Sequence, residues 1–324
     1  MKKEMFPIYD IKDLQYSGTE DNFYANTISN HFRMHAKRIK LPHGHTFYVS
    51  IFATKGTGTH KIDFTTYDFK PGYIFILFPG QVHNWEISED AEGYIFAHTR
   101  EFFDLNFTYE KVDNFPFFSS IHNQPLVEIE KVDMKEVETR YEEILEEYGG
   151  NGLMRFQKIA SLINVLYIEL SRFYIPDTLR AKQNLGNLCK IRELERLIDK
   201  NFKTIKSPNK YAEMMCLSNK HLNRMCKATL NKTTTELITD RIMLEAKRML
   251  AHSKHNASEI ADELGYSENA YFFRLFKKKT GKTPMEFSKE LLKNSEYLSF
   301  SGSRPSKQVD SMQNFGVSVP VLYK

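Results

Sequence analysis

Ile260-Ala261-Asp262-Glu263-Leu264-Gly265-Tyr266-Ser267, followed by Tyr271-Phe272, Arg274 and Phe276-Lys277, is the second occurrence of a pattern that begins near residue 211. Tyr211-Ala212-Glu213 stands 49 residues before Ile260-Ala261-Asp262, and Cys216-Leu217-Ser218 stands 49 before Gly265-Tyr266-Ser267. Past the turn the offset becomes 50, with Leu222, Arg224, Cys226 and Lys227 answering to Phe272, Arg274, Phe276 and Lys277. An internal repeat in an all-helical stretch points to a supersecondary unit used twice. Each copy reads as two short helices crossing steeply, with Ala212 and Ala261 where the backbones must approach closely. Gly265 can take the left-handed conformation that the turn demands, whereas Cys216 takes it only at a cost. Ser218, and Ser267 or Glu268 in the second copy, are placed to cap the following helix.

The second helix of each copy should bury Leu222 and Met225, or Phe272, Leu275 and Phe276. Its outward face then offers Asn219, Lys220, Asn223 and Arg224 in the first copy. In the second it offers Asn269, Ala270, Phe273 and Arg274, backed by Lys277, Lys278 and Lys279. Arginine can bond guanine bidentately, asparagine can do so with adenine, and an apolar group can meet the thymine methyl. Lysines at the helix end suit phosphates, which give affinity without sequence information. Between the copies, Glu236 to Ala251 reads as one long helix with Leu237, Ile238, Ile242, Leu244, Ala246, Met249 and Leu250 available for burial.

The rest of the chain is consistent with a second domain. At 324 residues, 41% apolar and 27% charged, the chain is of ordinary globular composition and long for one core. Residues 1–180 carry 19 Lys and Arg against 26 Asp and Glu, whereas residues 181–324 carry 26 against 15, so the repeat lies in the basic half. No apolar run reaches the length of about 20 residues that crosses a bilayer. No membrane partner and a cytoplasmic location are therefore expected. Cys189, Cys216 and Cys226 are odd in number, and with His221 they lack the close pairing of a zinc site, so reduced packing thiols are expected.

From about residue 24 to 103, short β-rich segments over Phe47–Ala53, His60–Tyr67, Gly72–Phe78 and Gly93–His98 alternate with turn signals, which suggests a small barrel or sandwich. Two helices follow, one around Val137–Tyr148 and one over Leu153–Phe173, broken at Gly149-Gly150-Asn151-Gly152. They should form a hairpin, and residues 133–173 are expected to join two copies into a homodimer. Pro176 ends the second helix, residues 177–186 read as a linker, and residues 295–324 as a disordered tail.

Arg241-Ile242-Met243-Leu244-Glu245-Ala246-Lys247-Arg248-Met249-Leu250, with Ala257 to Ser267 and then Tyr271-Phe272, Arg274, Phe276-Lys277-Lys278, Gly281 and Thr283-Pro284, resembles the AraC/XylS regulators over about 100 residues. The resemblance implies two recognition helices in adjacent major grooves of double-stranded operator or promoter DNA. The base-reading positions then fall on Lys220, Asn223 and Arg224 and on Asn269 and Arg274. Cys216 and Asn231 stand where glycine is usual, and Ser288 replaces a usual arginine. His43-Gly44-His45, Lys70-Pro71-Gly72 and Pro79-Gly80-Gln81-Val82-His83-Asn84-Trp85 resemble the family's cupin-like sensor.

The expected fold is thus α+β in two domains. Residues 1–176 form a cupin-like barrel with a helical hairpin that senses an effector and dimerises, and residues 187–294 form an all-α double helix-turn-helix. RNA polymerase is a further expected partner, and no cofactor and no catalytic residue are expected. Arg33, His43, His45, Tyr48, His83 and Trp85 are the expected ligand-binding residues, with Phe52, Phe64 and Phe78 as further lining. The cupin glutamate is absent, since Val49 and Ser50 occupy its places, so no metal is expected at the three histidines. Two other readings stay open: a cupin metalloenzyme carrying a DNA-binding appendage, and a DNA-binding protein without an effector.

Overall fold

A computed structural model of the chain describes residues 6–15, 22–39, 41–107, 109–118, 124–174, 185–252 and 255–291. Most of the expected linker and all of the expected tail lie outside these residues, and the two linker positions that are described, Leu185 and Gly186, already belong to a helix.

Strand β1 (Ile8–Tyr9) pairs in parallel with β3 (Gly44–His45). The principal sheet has the order β10-β7-β4-β9-β2, from Leu126–Glu128, Tyr73–Leu77, Tyr48–Lys55, Glu92–His98 and Phe23–Thr27. A second sheet has the order β6-β5-β8, from Thr65–Phe69, Gly58–Ile62 and His83–Ile87. The central strand β4 is buried on both faces, because successive side chains point opposite ways. Val49, Ile51 and Ala53 pack with Ile62, Phe69 and Trp85 between the two sheets. Tyr48 and Phe52 instead join the core under the helical hairpin of α3 (Met134–Gly149) and α4 (Arg155–Tyr174). Two buried hydrogen bonds pin that hairpin to the sheet, Ser50 Oγ to Tyr141 Oη at 2.6 Å and His98 Nε2 to Tyr167 Oη at 2.8 Å.

Two expectations are corrected here. His60–Tyr67 is not one strand: it is broken by a two-residue turn at Asp63 and Phe64, with Ile62 paired to Thr65 and Asp63 at φ 51°. Aspartate tolerates the left-handed region, which such hairpins require. Ile28–Ile39 forms a helix, α1, inside the stretch read as strands. Its signal was local, with Ile28, His31, Phe32, His35 and Ile39 at three- and four-residue spacing. A further short helix, α2 (Arg100–Asp104), is capped by the Thr99 hydroxyl.

The C-terminal domain holds α5 (Leu185–Asn201), α6 (Pro208–Met214), α7 (Asn219–Leu230), α8 (Thr234–His252), α9 (Ala257–Glu263) and α10 (Asn269–Thr280) around one apolar core. The long helix α8 places Leu237, Ile238, Ile242, Ala246 and Leu250 in that core, between the α6–α7 and α9–α10 pairs. The two domains meet where the β5–β6 turn touches α8. There Arg248 Nε and Nη2 donate to the two Asp63 carboxylate oxygens at 3.1 and 3.0 Å. Both side chains are mostly buried, at 9% and 15% exposure. Gln81 Nε2 and the Val82 N–H also donate to Asp63. Phe64 packs against Phe287 beyond α10.

Candidate DNA interface and ligand cavities

The turns of the two helix pairs are closed by the same backbone hydrogen bonds. At the first turn Cys216 N donates to Glu213 O and Leu217 N to Ala212 O; at the second, Gly265 N donates to Asp262 O and Tyr266 N to Ala261 O. Cys216 adopts φ 53° and Gly265 φ 77°, so the cysteine accepts the left-handed conformation that the turn imposes. A Cβ on Gly265 would meet the Lys203 carbonyl oxygen at 2.0 Å, which adds a close approach to the backbone requirement. Ser218 caps α7 by accepting from His221 N, while Glu268, at the corresponding end of α10, makes no side-chain cap bond.

The correspondence extends beyond the two helices of each pair. Asn231 at φ 53° and Gly281 at φ 79° end α7 and α10 in the left-handed region. Thr233 and Glu236 then cap each other reciprocally at the start of α8, as Thr283 and Glu286 do 50 residues later. Lys232 pairs with Asp240, and Lys282 with Glu290, at the same spacing. Each unit therefore includes the first turns of a third helix, and the paired Thr-x-x-Glu stretches were the signal for it.

Lys220, Arg224, Arg274, Lys277 and Lys278 are exposed on α7 and α10, and so is Asn219. Arg224 approaches only His221 Nδ1, at 3.4 Å, and Arg274 makes no ion pair among the described residues. Three expected outward residues are partly buried. Asn223 is half-buried and its Oδ1 accepts from Thr234 N, so it helps to start α8. Phe273 packs partly into the core, and the buried Oδ1 of Asn269 has no partner among the described residues. Lys279 pairs with Asp240 of α8 at 3.0 Å. The thiols do not converge: Cys216 is exposed, Cys226 is buried beside the Thr234 hydroxyl, and the Cys189 side chain lies outside the described residues.

In the N-terminal domain the expected ligand-binding residues divide. His43, His45, His83 and Trp85 line a small cavity of about 30 Å³ together with His31 and His35 of α1. That is room for a water molecule or two, since side chains fill the space between the sheets. Tyr48 lines a different cavity of about 550 Å³ between the two domains, and so does Phe78. Arg33 lies on the exposed face of α1, donating to Asn30 Oδ1. Phe52 is core, and Phe64 belongs to the contact between domains.

The histidine rings are held by local bonds. His43 Nδ1 and His45 Nδ1 lie 2.9 and 2.8 Å from the carbonyl oxygens of Leu41 and Phe47, to which they can only donate. His60 Nε2 and His83 Nδ1 are 2.9 Å apart. Among the described residues no group of three or more His, Cys, Asp or Glu is placed to hold a metal ion. At the positions of the missing glutamate, Val49 points into the core and Ser50 bonds Tyr141. Burial pushes His31 and His45 down to about 3, with neighbouring histidines adding to the effect. Burial likewise lowers His98 to about 4 and holds His60 and His83 well below the usual imidazole range.

Two measurements follow from this geometry. These rings stay neutral in the fold, whereas in the unfolded chain each takes a proton near pH 6.5. The unfolded state therefore binds more protons between about pH 6.5 and the folded values, so stability is full above that window and falls as the pH drops through it. The stability measured by urea unfolding of the single tryptophan, Trp85, should fall below about pH 6.5, by about 1.4 kcal/mol per pH unit for each ring that stays neutral; a urea midpoint equal at pH 7 and pH 5 would contradict neutral burial. At the first turn, Cys216→Gly should stabilise the helical domain by about 1 kcal/mol, because it relieves the left-handed cysteine. Denaturation followed by helical circular dichroism tests this, and a loss of stability would contradict the strain.

Residues 27–99 match the AraC-like ligand binding domain, and residues 211–290 match a helix-turn-helix domain. Over 292 residues the chain is 22% identical to the uncharacterized HTH-type transcriptional regulator YfiF of Bacillus subtilis, covering 89% of this chain and 88% of that one. Over 251 residues it is 22% identical to the HTH-type transcriptional activator RhaR of Escherichia coli, covering 76% and 86%. Among solved structures it is similar to the C-terminal domain of AraT, a response regulator from Geobacillus stearothermophilus, at 28% identity over 31% of this chain and 84% of that one, with a TM-score of 0.30. It is also similar to ToxT from Vibrio cholerae, at 13% identity over 85% and 97%, with a TM-score of 0.40. Among the described residues no helix is long and apolar enough to cross a membrane. A stretch that matches the AraC-like ligand binding domain, followed by one that matches a helix-turn-helix domain, in a chain whose relatives are HTH-type transcriptional regulators, makes this chain an AraC-type transcriptional regulator with a ligand-binding and a DNA-binding domain.

Proposed function

We propose that the protein reads DNA with α7 and α10 in adjacent major grooves, and that Arg224 and Arg274 carry most of the base discrimination. One observation supports this above the rest: the two units share their turn bonds and their Thr-x-x-Glu caps, and these two arginines, 50 residues apart, are exposed and have no carboxylate partner among the described residues. Asn219 and Lys220 stand beside Arg224, and Lys277 and Lys278 follow Arg274 where phosphates would lie. Asn223 and Phe273 act more as supports of the reading helices than as readers. With 19 residues, α8 is about 28 Å long. That span suits units one helical repeat of DNA apart, roughly 34 Å. The N-terminal domain is the sensor, and its grip on α8 through Asp63 and Arg248 is the route by which an effector would bear on the readers.

Promoter fragments recovered by genome-wide mapping of bound sites give the substrate for the test. Arg224→Ala and Arg274→Ala should each cost about 1–3 kcal/mol of discrimination against altered sites. Lys278→Ala should weaken specific and random DNA alike and reduce the salt slope by about 1. A wild-type protein that binds every sequence equally would overturn the reading.

A subunit interface on the helical hairpin is part of the same proposal. On α4, Val165 and Ile168 lie three residues apart on one face and are 42% and 43% exposed. Sedimentation of the full chain should give about twice 38.0 kDa, returning to one copy in Val165→Asp/Ile168→Asp; a monomeric wild type would contradict it.

A further inference from the structure

The cavity of about 550 Å³ between the domains is lined by five guanidinium groups from three parts of the fold. Arg100 comes from α2, Arg192 and Arg196 from α5, and Arg241 and Arg248 from α8. Asp113, Glu193, Glu195 and Asp199 share this wall, and acids on it and beside it engage some of the guanidinium groups. Arg100 bonds Asp113, Arg196 bonds Glu193, and Arg241 bonds Asp199 and also Glu245. Arg248 turns to Asp63 of the sensor. Arg192 is half-buried on the same wall and has no acid of its own among the described residues. The bonds of the others leave donors over: Nη1 of Arg196, Nη2 of Arg241 and Nη1 of Arg248 make no hydrogen bond among the described residues. Arg241 and Arg248 are mostly buried, at 11% and 9% exposure, and arginine does not lose its charge. Phe78, Phe118 and Leu237 supply apolar wall between the guanidinium groups.

We infer that this cleft is a binding site for a small organic anion, a carboxylate or a phosphate monoester on a flat apolar body. The anionic end meets Arg192 and Arg196, and the body lies against Phe78 and Phe118. The volume falls in the range of small-molecule sites, roughly 300–1,000 Å³, whereas the histidine-lined cavity of the sensor is far below it. Planar guanidinium forks suit both carboxylate and phosphate oxygens. The occupant would touch both domains at once. Tyr48 and Arg100 belong to the sensor, while Arg248 lies both on the cavity wall and in the clamp to Asp63. This deepens the reading of the N-terminal domain as a sensor and rests on it for its regulatory consequence, although the binding itself does not.

Calorimetry on the full chain without DNA tests the site, with phenyl phosphate and phenylacetate as anionic probes and benzyl alcohol as the neutral counterpart. At least one anion is expected to bind saturably, one per chain, with benzyl alcohol absent or far weaker; the stronger of the two identifies the anion. Arg192→Ala and Arg196→Ala, both outside the apolar core, are each expected to weaken that binding about tenfold or more, which corresponds to about 1.4 kcal/mol. No saturable binding of either anion, equal binding of benzyl alcohol, or wild-type affinity in both variants would overturn the assignment. Because no DNA is present, such a failure leaves the promoter-binding result standing, and a failure of promoter binding leaves this one standing.

Discussion

The burial of one face of α8 by two helix pairs is the constraint on which the C-terminal domain depends. Leu237 and Ile238 near its start and Met249 and Leu250 near its end belong to the same core as Leu222 of the first unit and Phe272 of the second. Neither pair has enough apolar surface to stand alone, since a helix of seven residues against one of twelve leaves most of each exposed. Packing both on one rod fixes the distance and the rotation between them. The same rod carries Arg248 on another side, so the element that spaces the readers is also the one that the sensor holds.

The Asp63–Arg248 contact is costly to build, because two charges leave water to make it. Its geometry offsets that cost. Asp63 receives two guanidinium bonds, an amide bond from Gln81 and a backbone bond from Val82, which occupy most of the lone pairs that a buried carboxylate must satisfy. Removing either partner would leave the other charged and mostly buried, which is strongly destabilising.

The sensor interior follows a different rule. Its two sheets are packed closely enough that the histidines expected as ligand contacts have become core residues, each ring positioned by a carbonyl, a tyrosine or another histidine. Neutral imidazole tolerates this, and protonated imidazole does not. The space large enough for a small organic molecule lies instead at the edge of the domain, where β4 and α2 face α5 and α8.

Much was decided by the sequence alone. The 49- and 50-residue offsets identify two helix-turn-helix units, because a turn of fixed geometry needs a small or left-handed residue at a fixed place, and Gly265 and the tolerated Cys216 mark it. The hairpin of α3 and α4 was legible from helical spacing, and the capping residues Ser218 and Asn231 were legible from their chemistry. The extension of each unit by Thr233–Glu236 and Thr283–Glu286 was present but not read, and so was α1 with its histidine-rich face. Only the tertiary structure decided which polar residues are free. Asn223 looks like a reader until its oxygen is seen on Thr234, 11 residues away, and Arg248 looks like any helix-surface arginine until Asp63, 185 residues away, is seen against it. Local pattern fixes the faces of an element, because side-chain direction follows backbone period. What meets each face depends on contacts between parts of the chain far apart in sequence, and no local pattern carries that information.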